Sequence, residues 1–424
     1  HARALADGSP KDALLLGRLL TLAGRRDEAL DTLEAALEEV DPGSRELAEA
    51  ALADARYQAG DLDGAEVLAT KIAGAQNVEL ALDARNTNAK IALARGDLDG
   101  AAALLADTLR DAEAGGWARP ACQALNNLAI VAMGRGELSR ATQWLDRMLE
   151  LADENGAVYF RGIAHKNLAV VLQLEGEWGG ALQHAERAIS LLSGLGNVSL
   201  MARLSFNTAD LHRSLGDPYR ALRLCAHARE SAGGALETAV DCEGLRVEAA
   251  IHIELGHAEE AEASWRAALE LATQLELRAA IDECRLGLAQ LAADAGDTGR
   301  AATWIEGLAA DGQSARGLAR LAQATASLGV GEERIPLSRF AVDAARKTSD
   351  PLLLQIAHLG LAKALADAGL CGRAREELAL IRERERELAG RVPASLRTLF
   401  EERSLCRRLA AVERTLNGKE APPA

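Results

Sequence analysis

The element Gly-x4-Ala recurs at Gly24/Ala29, Gly60/Ala65, Gly96/Ala101, Gly136/Ala141, Gly176/Ala181, Gly216/Ala221, Gly256/Ala261 and Gly296/Ala301, and returns at Gly369/Ala374. Successive glycines lie 36, 36, 40, 40, 40, 40 and 40 residues apart, then 73. Chance does not readily produce such a series. A constant period of this length marks a repeat architecture, in which each unit is one supersecondary element stacked on its neighbours. The 73-residue interval has room for one degenerate unit, with SLGVGEERIPLSRFAVDAAR supplying an irregular turn near Gly329. Ten units result.

Each unit carries two helical patterns around its glycine. In the fourth, Pro120 stands in the first turn of a helix whose Leu125, Leu128, Ala129 and Ala132 fall at helical spacing. Gly136 ends that helix, because glycine takes the left-handed conformation without a Cβ clash. The next helix presents Ala141, Leu145, Met148 and Leu149 as its apolar stripe. So short a connection makes an antiparallel hairpin, and the small alanine five residues past the glycine lets the two backbones approach. Segments such as AGGWARP, ENGAVYFRG, SGLGNVS and SAGGAL separate the units.

Composition agrees with an all-helical chain. Aromatic residues make up 3% of the sequence and proline is scarce, which disfavours strands. The hydrophobic fraction is 49%, much of it alanine, so the interfaces should be thin and closely spaced. A formal net charge of −15 opposes non-specific contact with a phosphate backbone. The six cysteines lie far apart with no CxxC pair, as suits reduced thiols in a cytoplasmic protein. No run of 18 apolar residues and no signal peptide is present, so no membrane contact is expected. The opening HARALADGSP reads as the tail of an earlier helix, which suggests a piece of a longer protein.

The array resembles tetratricopeptide repeats, in the lengthened forty-residue variety found in bacterial regulators and kinesin-light-chain-like proteins. The resemblance rests on NLA at 127–129 and 167–169, on the Gly-Asp or Gly-Glu turns at 60–61, 96–97, 136–137 and 176–177, and on the alanine that follows. It spans nearly the whole chain. The sequence departs from the standard form in length and in lacking most of the aromatics after the glycine and late in the second helix; Trp178 and Trp265 fill such places only occasionally. The resemblance implies an all-α, right-handed superhelical solenoid of about ten helix-turn-helix repeats over residues 12–390. A remnant of a preceding helix is expected at 1–11, a capping helix at 391–416 and a disordered tail at 417–424. Leu396, Leu399, Phe400 and Leu405 are expected to cover the last repeat, since solenoids need closed ends.

No catalytic constellation is legible. HExxH, GxSxG and GxxxxGK[ST] are missing, and the GxG of SGLGNVS follows a helix rather than a strand. The histidines fall in different units without ligand spacing, and the acidic series EEAEASWRAALE and RERERELAG read as solvated helix faces. No enzyme activity, cofactor or metal is expected.

The remaining candidates are amides. Asn127, Asn167 and Asn207 each lie nine residues before a turn glycine, so stacking places them in a row. An amide both donates and accepts, and can pair with any peptide unit; asparagine is also a mediocre helix former, so three in mid-helix need a reason. The resemblance implies that first helices line a concave groove, where such a row contacts an extended peptide. The other reading is that these amides tie neighbouring helices together. Asn126, Lys166 and Phe206 precede the three asparagines; Lys90, Arg203, Asp210 and Arg213 extend the strip along neighbouring turns. This polar, partly basic strip suits an extended peptide, an acidic segment or a terminal carboxylate. It matches the two-carboxylate clamp of co-chaperone repeats only at Asn167 and Arg203, so chaperone-tail binding is not expected. The leading expectation is a protein- or peptide-binding module of a larger bacterial signalling or regulatory protein, without direct nucleic-acid contact. The alternative is an oligomerisation scaffold using its convex face or edges. The oligomeric state is left open.

Overall fold

A computed structural model describes residues 9–22, 25–234, 236–308, 315–329, 331–348 and 350–418. Ten hairpins follow one another. Their helices are α1 (Pro10–Leu22) with α2 (Arg26–Glu39), α3 (Arg45–Ala59) with α4 (Leu62–Ile72), and α5 (Val78–Ala94) with α6 (Leu98–Gly115). Next come α7 (Ala118–Arg135) with α8 (Leu138–Glu154), α9 (Val158–Glu175) with α10 (Trp178–Leu192), and α11 (Val198–Ser214) with α12 (Pro218–Ala232). The remainder are α13 (Thr238–Leu255) with α14 (Ala258–Gln274), α15 (Arg278–Asp294) with α16 (Thr298–Ile305), α17 (Ala315–Ala326) with α18 (Arg334–Arg346), and α19 (Pro351–Asp367) with α20 (Cys371–Arg391). No strand occurs among the described residues.

The repeated residues do what stacking requires. From Gly60 to Gly369, each described glycine of the series has φ between +77° and +88°; Gly24 lies outside the described residues. At Gly136 the Glu137 N–H reaches back to the Ala132 carbonyl at 2.8 Å, which satisfies a carbonyl the helix end would leave open. The alanines five residues later, from Ala29 to Ala374, are completely buried. Where the turn reads Gly-Asp, the aspartate caps the second helix: Asp61 accepts from the Gly64 N–H, and Asp97 from the Gly100 N–H, both at 2.8 Å. Where it reads Gly-Glu, at Glu137 and Glu177, the side chain makes no cap.

The degenerate ninth hairpin departs from the pattern. Its helices α17 and α18 are joined through a short 3-10 turn at Gly331–Glu333, and Gly329 is not left-handed.

About five hairpins complete one turn of the superhelix, because α3 meets α13 and α9 meets α19 across it. Later loops therefore seat against the turn glycines of earlier hairpins. A Cβ on Gly60 would come within 2.7 Å of Leu275, and one on Gly216 within 2.2 Å of the Leu399 carbonyl oxygen.

The chain end corrects two expectations and extends a third. The segment expected as one capping helix is a 3-10 turn at Ala394–Leu396, a short α21 (Arg397–Glu401) and α22 (Ser404–Gly418). Phe400 joins Leu388 of the last repeat and reaches further than expected: it is fully buried against Trp178 of the fifth hairpin, ring centroids 4.8 Å apart, in a cluster with Leu211, Leu215 and Val392. Leu405 does join the core of the last repeat, whereas Leu399 stays 36% exposed. The reason is the superhelical turn, which returns the C-terminus to hairpins five to seven. Arg391 pairs there with Glu177 at 2.9 Å, and the Arg407 guanidinium donates to the Glu254 carbonyl at 3.2 Å. Pro10 and Lys11 open α1, and Asn417 and Gly418 belong to α22; the rest of both expected terminal segments, 1–8 and 419–424, lies outside the described residues.

Candidate functional site

The odd-numbered helices face the inside of the superhelix, and ion pairs or amide bonds link successive ones. Asp54 of α3 holds Lys90 of α5 at 3.1 Å. Glu79 and Asp83 of α5 hold Arg119 of α7. Between α7 and α9 the link is an amide chain: Asn167 donates to Asn126 Oδ1 at 2.7 Å, and Asn126 donates to Asn127 Oδ1 at 3.1 Å. Gln173 of α9 donates to Asp210 of α11 at 2.6 Å. Arg203 pairs with Glu243 of α13 at 2.9 Å, Arg213 with Asp210 at 2.7 Å and with Glu254 at 3.7 Å. Arg246 of α13 pairs with Glu283 of α15, which also holds Arg320 of α17 at 3.1 Å.

This ladder sorts the expected site residues. Asn127 and Asn167 are 7% and 4% exposed; Asn167 ties neighbouring units together through Asn126, whereas Asn127 accepts from Asn126 of its own helix and stands in the wall of the cavity described next. Phe206 is fully buried in the core beneath Gly244 and beside Arg229, and it presents no surface to a ligand. Asn207 is half-buried. Lys90, Arg203, Asp210 and Arg213 face the interior but are held by partners on the chain; the Lys90 ammonium also sits 4.7 Å from the centre of the Tyr57 ring. Lys166 is the exception. It makes no ion pair or hydrogen bond among the described residues, and burial, with Arg203 nearby, pulls its pKa down to about 8.

An open cavity of about 470 Å³ lies against the first five hairpins. Its wall includes Ala50 and Asp54 of α3, Asp83 and Asn86 of α5, Arg119, Gln123 and Asn126 of α7, and Tyr159 and Ile163 of α9. Asp83 and Gln123 lie 13 residues before their turn glycine, and Asn86 and Asn126 lie 10 before theirs. The row chosen from the sequence was nine before, and it too reaches the cavity, through Ala51, Thr87 and Asn127; Asn167 and Asn207 of that row are not in the wall. Paired amides at Asn86 and Asn126 were the available signal for the rest of the wall.

Three buried oxygens in this wall lack a hydrogen-bond partner: Asp83 Oδ1, Asn86 Oδ1 and Gln123 Oε1. Asn86 is only 3% exposed, and its NH2 group donates to the Leu82 carbonyl at 3.3 Å and the Pro120 carbonyl at 3.4 Å. Those two acceptors fix the amide orientation and leave the Asn86 oxygen as the free atom. Burial outweighs Arg119 at Asp83 and holds this carboxyl above the usual range.

No family model and no curated protein sequence matches the chain. Solved structures do match its shape. NprR in complex with its cognate peptide NprX is 14% identical, with a TM-score of 0.55 over 79% of this chain and 99% of that one. A Rap protein complexed with Competence and Sporulation Factor is 15% identical, with a TM-score of 0.48 over 89% and 100%. The human IFIT1 dimer with m7Gppp-AAAA is 17% identical, with a TM-score of 0.46 over 96% and 91%. The chain has a tetratricopeptide-like fold. Within this fold the four most enclosed thiols, Cys122, Cys225, Cys242 and Cys284, are core residues whose burial pushes their pKa values up to about 11 or 12, the setting of inert packing groups. Among the described residues no group of three or more His, Cys, Asp or Glu side chains is arranged to hold a metal ion. None of the described helices is long and apolar enough to cross a membrane.

Proposed function

We propose that this chain is a non-enzymatic recognition module that binds a short extended peptide, free or as part of a partner protein, in the cavity of its first superhelical turn. It would serve as the sensor or scaffold part of a larger bacterial signalling or transcription-regulatory protein. The observation that carries the reading is the cavity itself. Its volume of about 470 Å³ lies in the range of small-ligand sites, and its wall mixes apolar side chains with convergent amides and charges. The likeness in fold to NprR, seen with a peptide bound, agrees with it.

The test fills the cavity. Ala50→Trp places an indole where a ligand would lie, and affinity selection from a pool of random octapeptides reads the result. Retention by the parent chain and loss in the variant, with unchanged circular dichroism and sizing, supports the cavity. Equal retention by both sinks it.

A second reading, assembly through an edge, is favoured by Leu15 and Leu19 of α1. They are 49% and 48% exposed one turn apart. Light scattering of Leu15→Glu/Leu19→Glu separates the two: a fall in mass without loss of peptide retention assigns the edge to assembly.

A further inference from the structure

On the inner helices, Lys90, Arg119, Arg203 and Arg213 are each held by a carboxylate of the chain, and Lys166 of α9 is not. The two charges that act on it, Arg203 and Glu243, are bonded to each other at 2.9 Å and cancel. Asn207 of α11 is alike in making no hydrogen bond among the described residues. Lys166 and Asn207 line one small hollow between α9, α10 and α11, about 10 Å³ and so room for about one water. The other polar side chains around it are engaged: Gln173 donates to Asp210 at 2.6 Å and to Ser214 at 3.1 Å, and the Thr208 hydroxyl donates to the Leu204 carbonyl at 2.8 Å. Unlike the enclosed oxygens of Asp83 and Asn86, the Lys166 ammonium and the Asn207 amide keep accessible surface. Tyr159, Ile163 and Lys166 stand four and three residues apart on one face of α9, and the first two belong to the cavity wall. The ammonium therefore lies one turn along from the cavity, on the path of an extended ligand.

We propose that Lys166 and Asn207 hold a carboxylate of the bound peptide at the rim of this hollow, one oxygen taking the ammonium and the other the amide N–H. A carboxylate only accepts, and its two oxygens suit two donors presented from adjacent helices. The crowded surroundings disfavour the charge on Lys166 yet leave it protonated at pH 7, so the fold carries a cost that a bound anion removes. The formal charge of −15 on the chain opposes a run of acids, so the fit is to a single carboxylate, the C-terminus of the peptide or one Asp or Glu side chain. This inference rests on reading the cavity as a peptide site, and the experiment is chosen to separate the two.

The probes are two pools of N-acetylated random octapeptides, one with free C-termini and one amidated. Peptides retained by the full chain are sequenced by mass spectrometry, and the best is remade with a carboxamide in place of its carboxylate. Retention of the free-acid pool over the amidated one assigns the terminal carboxylate; enrichment of Asp or Glu at one position in both pools assigns a side chain. In either case the carboxamide form should bind at least tenfold more weakly. In Lys166→Met and, separately, Asn207→Leu, that preference should fall to threefold or less, with sizing and circular dichroism unchanged. Lys166→Met removes a disfavoured charge, so thermal melts should show a chain at least as stable as the parent, and a preference lost there is not lost through unfolding. Peptides retained equally with and without a carboxylate overturn the anion site and leave peptide binding standing. No retained peptide overturns both. A preference that persists in either variant puts the carboxylate elsewhere and also overturns the assignment.

Discussion

The two halves of the lumen are built from corresponding faces of the same repeated helix and both carry ion pairs between successive units, yet the first turn holds an open cavity of about 470 Å³. In hairpins six to nine, Arg203, Arg213, Arg246 and Arg320 are each held by an acid on the same or the next helix. That half is closed on itself and has little left to offer a ligand. In hairpins three and four Lys90 and Arg119 are paired as well, and the corresponding positions Asp83, Asn86 and Gln123 stand in the wall of the open cavity. Between the halves lie Asn126 and Asn167, which replace an ion pair by an amide bond, and Lys166, which has no partner of its own. Repetition of the scaffold therefore does not repeat the site. What differs is which side chains consecutive units set around the lumen.

The largest effect is expected at the chain end, where a buried ion pair joins the residues after α21 to α20 of the tenth hairpin. Arg403 is 6% exposed and donates to both Glu385 oxygens, at 2.7 and 2.8 Å. Arg403→Met leaves Glu385 buried without its counter-charge, and denaturant unfolding should show a loss of about 3–5 kcal/mol. A loss below about 1 kcal/mol would mean that the C-terminus is not a structural closure.

Lys166 tests the joint between the halves from the other direction. A lysine whose folded pKa is about 8, against an ordinary 10.5, destabilises the fold while both states stay protonated. Lys166→Met should therefore raise stability by about 2–3 kcal/mol at pH 7. The sign with pH follows from proton binding. Between pH 8 and 10.5 the unfolded chain holds the proton more tightly, so the parent should close the gap to the variant as pH rises through that window. A gap that stays constant from pH 7 to 10.5 would show that Lys166 is solvated.

Acid should strain the closed half at His212. This residue is 3% exposed, its Nδ1 has no partner, and burial, reinforced by Arg220, pulls its pKa down to about 4. Its neutral form belongs to the fold, so its contribution is complete above pH 6.5 and is lost as pH falls toward 4. At pH 5 the parent should lose about 2 kcal/mol relative to pH 7 that His212→Leu does not lose. Thermal melts of both chains at the two pH values provide the comparison.

The smallest effect distinguishes the two readings of the asparagine row. Asn167→Leu should cost about 1 kcal/mol, since it removes the bond to the half-buried Asn126, and peptide retention should change little. Unchanged stability with lost retention would restore Asn167 to the binding surface.

Much of the fold was legible because its determinants are local. A glycine that must be left-handed and an alanine that must be small are demanded by the hairpin itself, so Gly136 and Ala141 announce their roles without reference to the rest of the chain. The same holds for Asp61 and Asp97 as caps. The site was less legible, because it depends on rotation and curvature. Asn127 stands in the cavity wall beside Asn126 whereas Asn167 and Asn207 of the same row do not, and hydrophobic periodicity does not resolve that difference. Phe206 precedes Asn207 in the chosen strip but points into the core, a direction set by the packing of Gly244 against its ring.

By itself, the sequence determined the repeat, the hairpin and its turn chemistry, since backbone conformation and close packing act over a few residues. The tertiary structure alone decided that about five hairpins close a turn, that Phe400 returns to Trp178 across more than two hundred residues, and that the first turn holds an open cavity. Those outcomes depend on small angles added from unit to unit, which bring together charges that no local pattern relates.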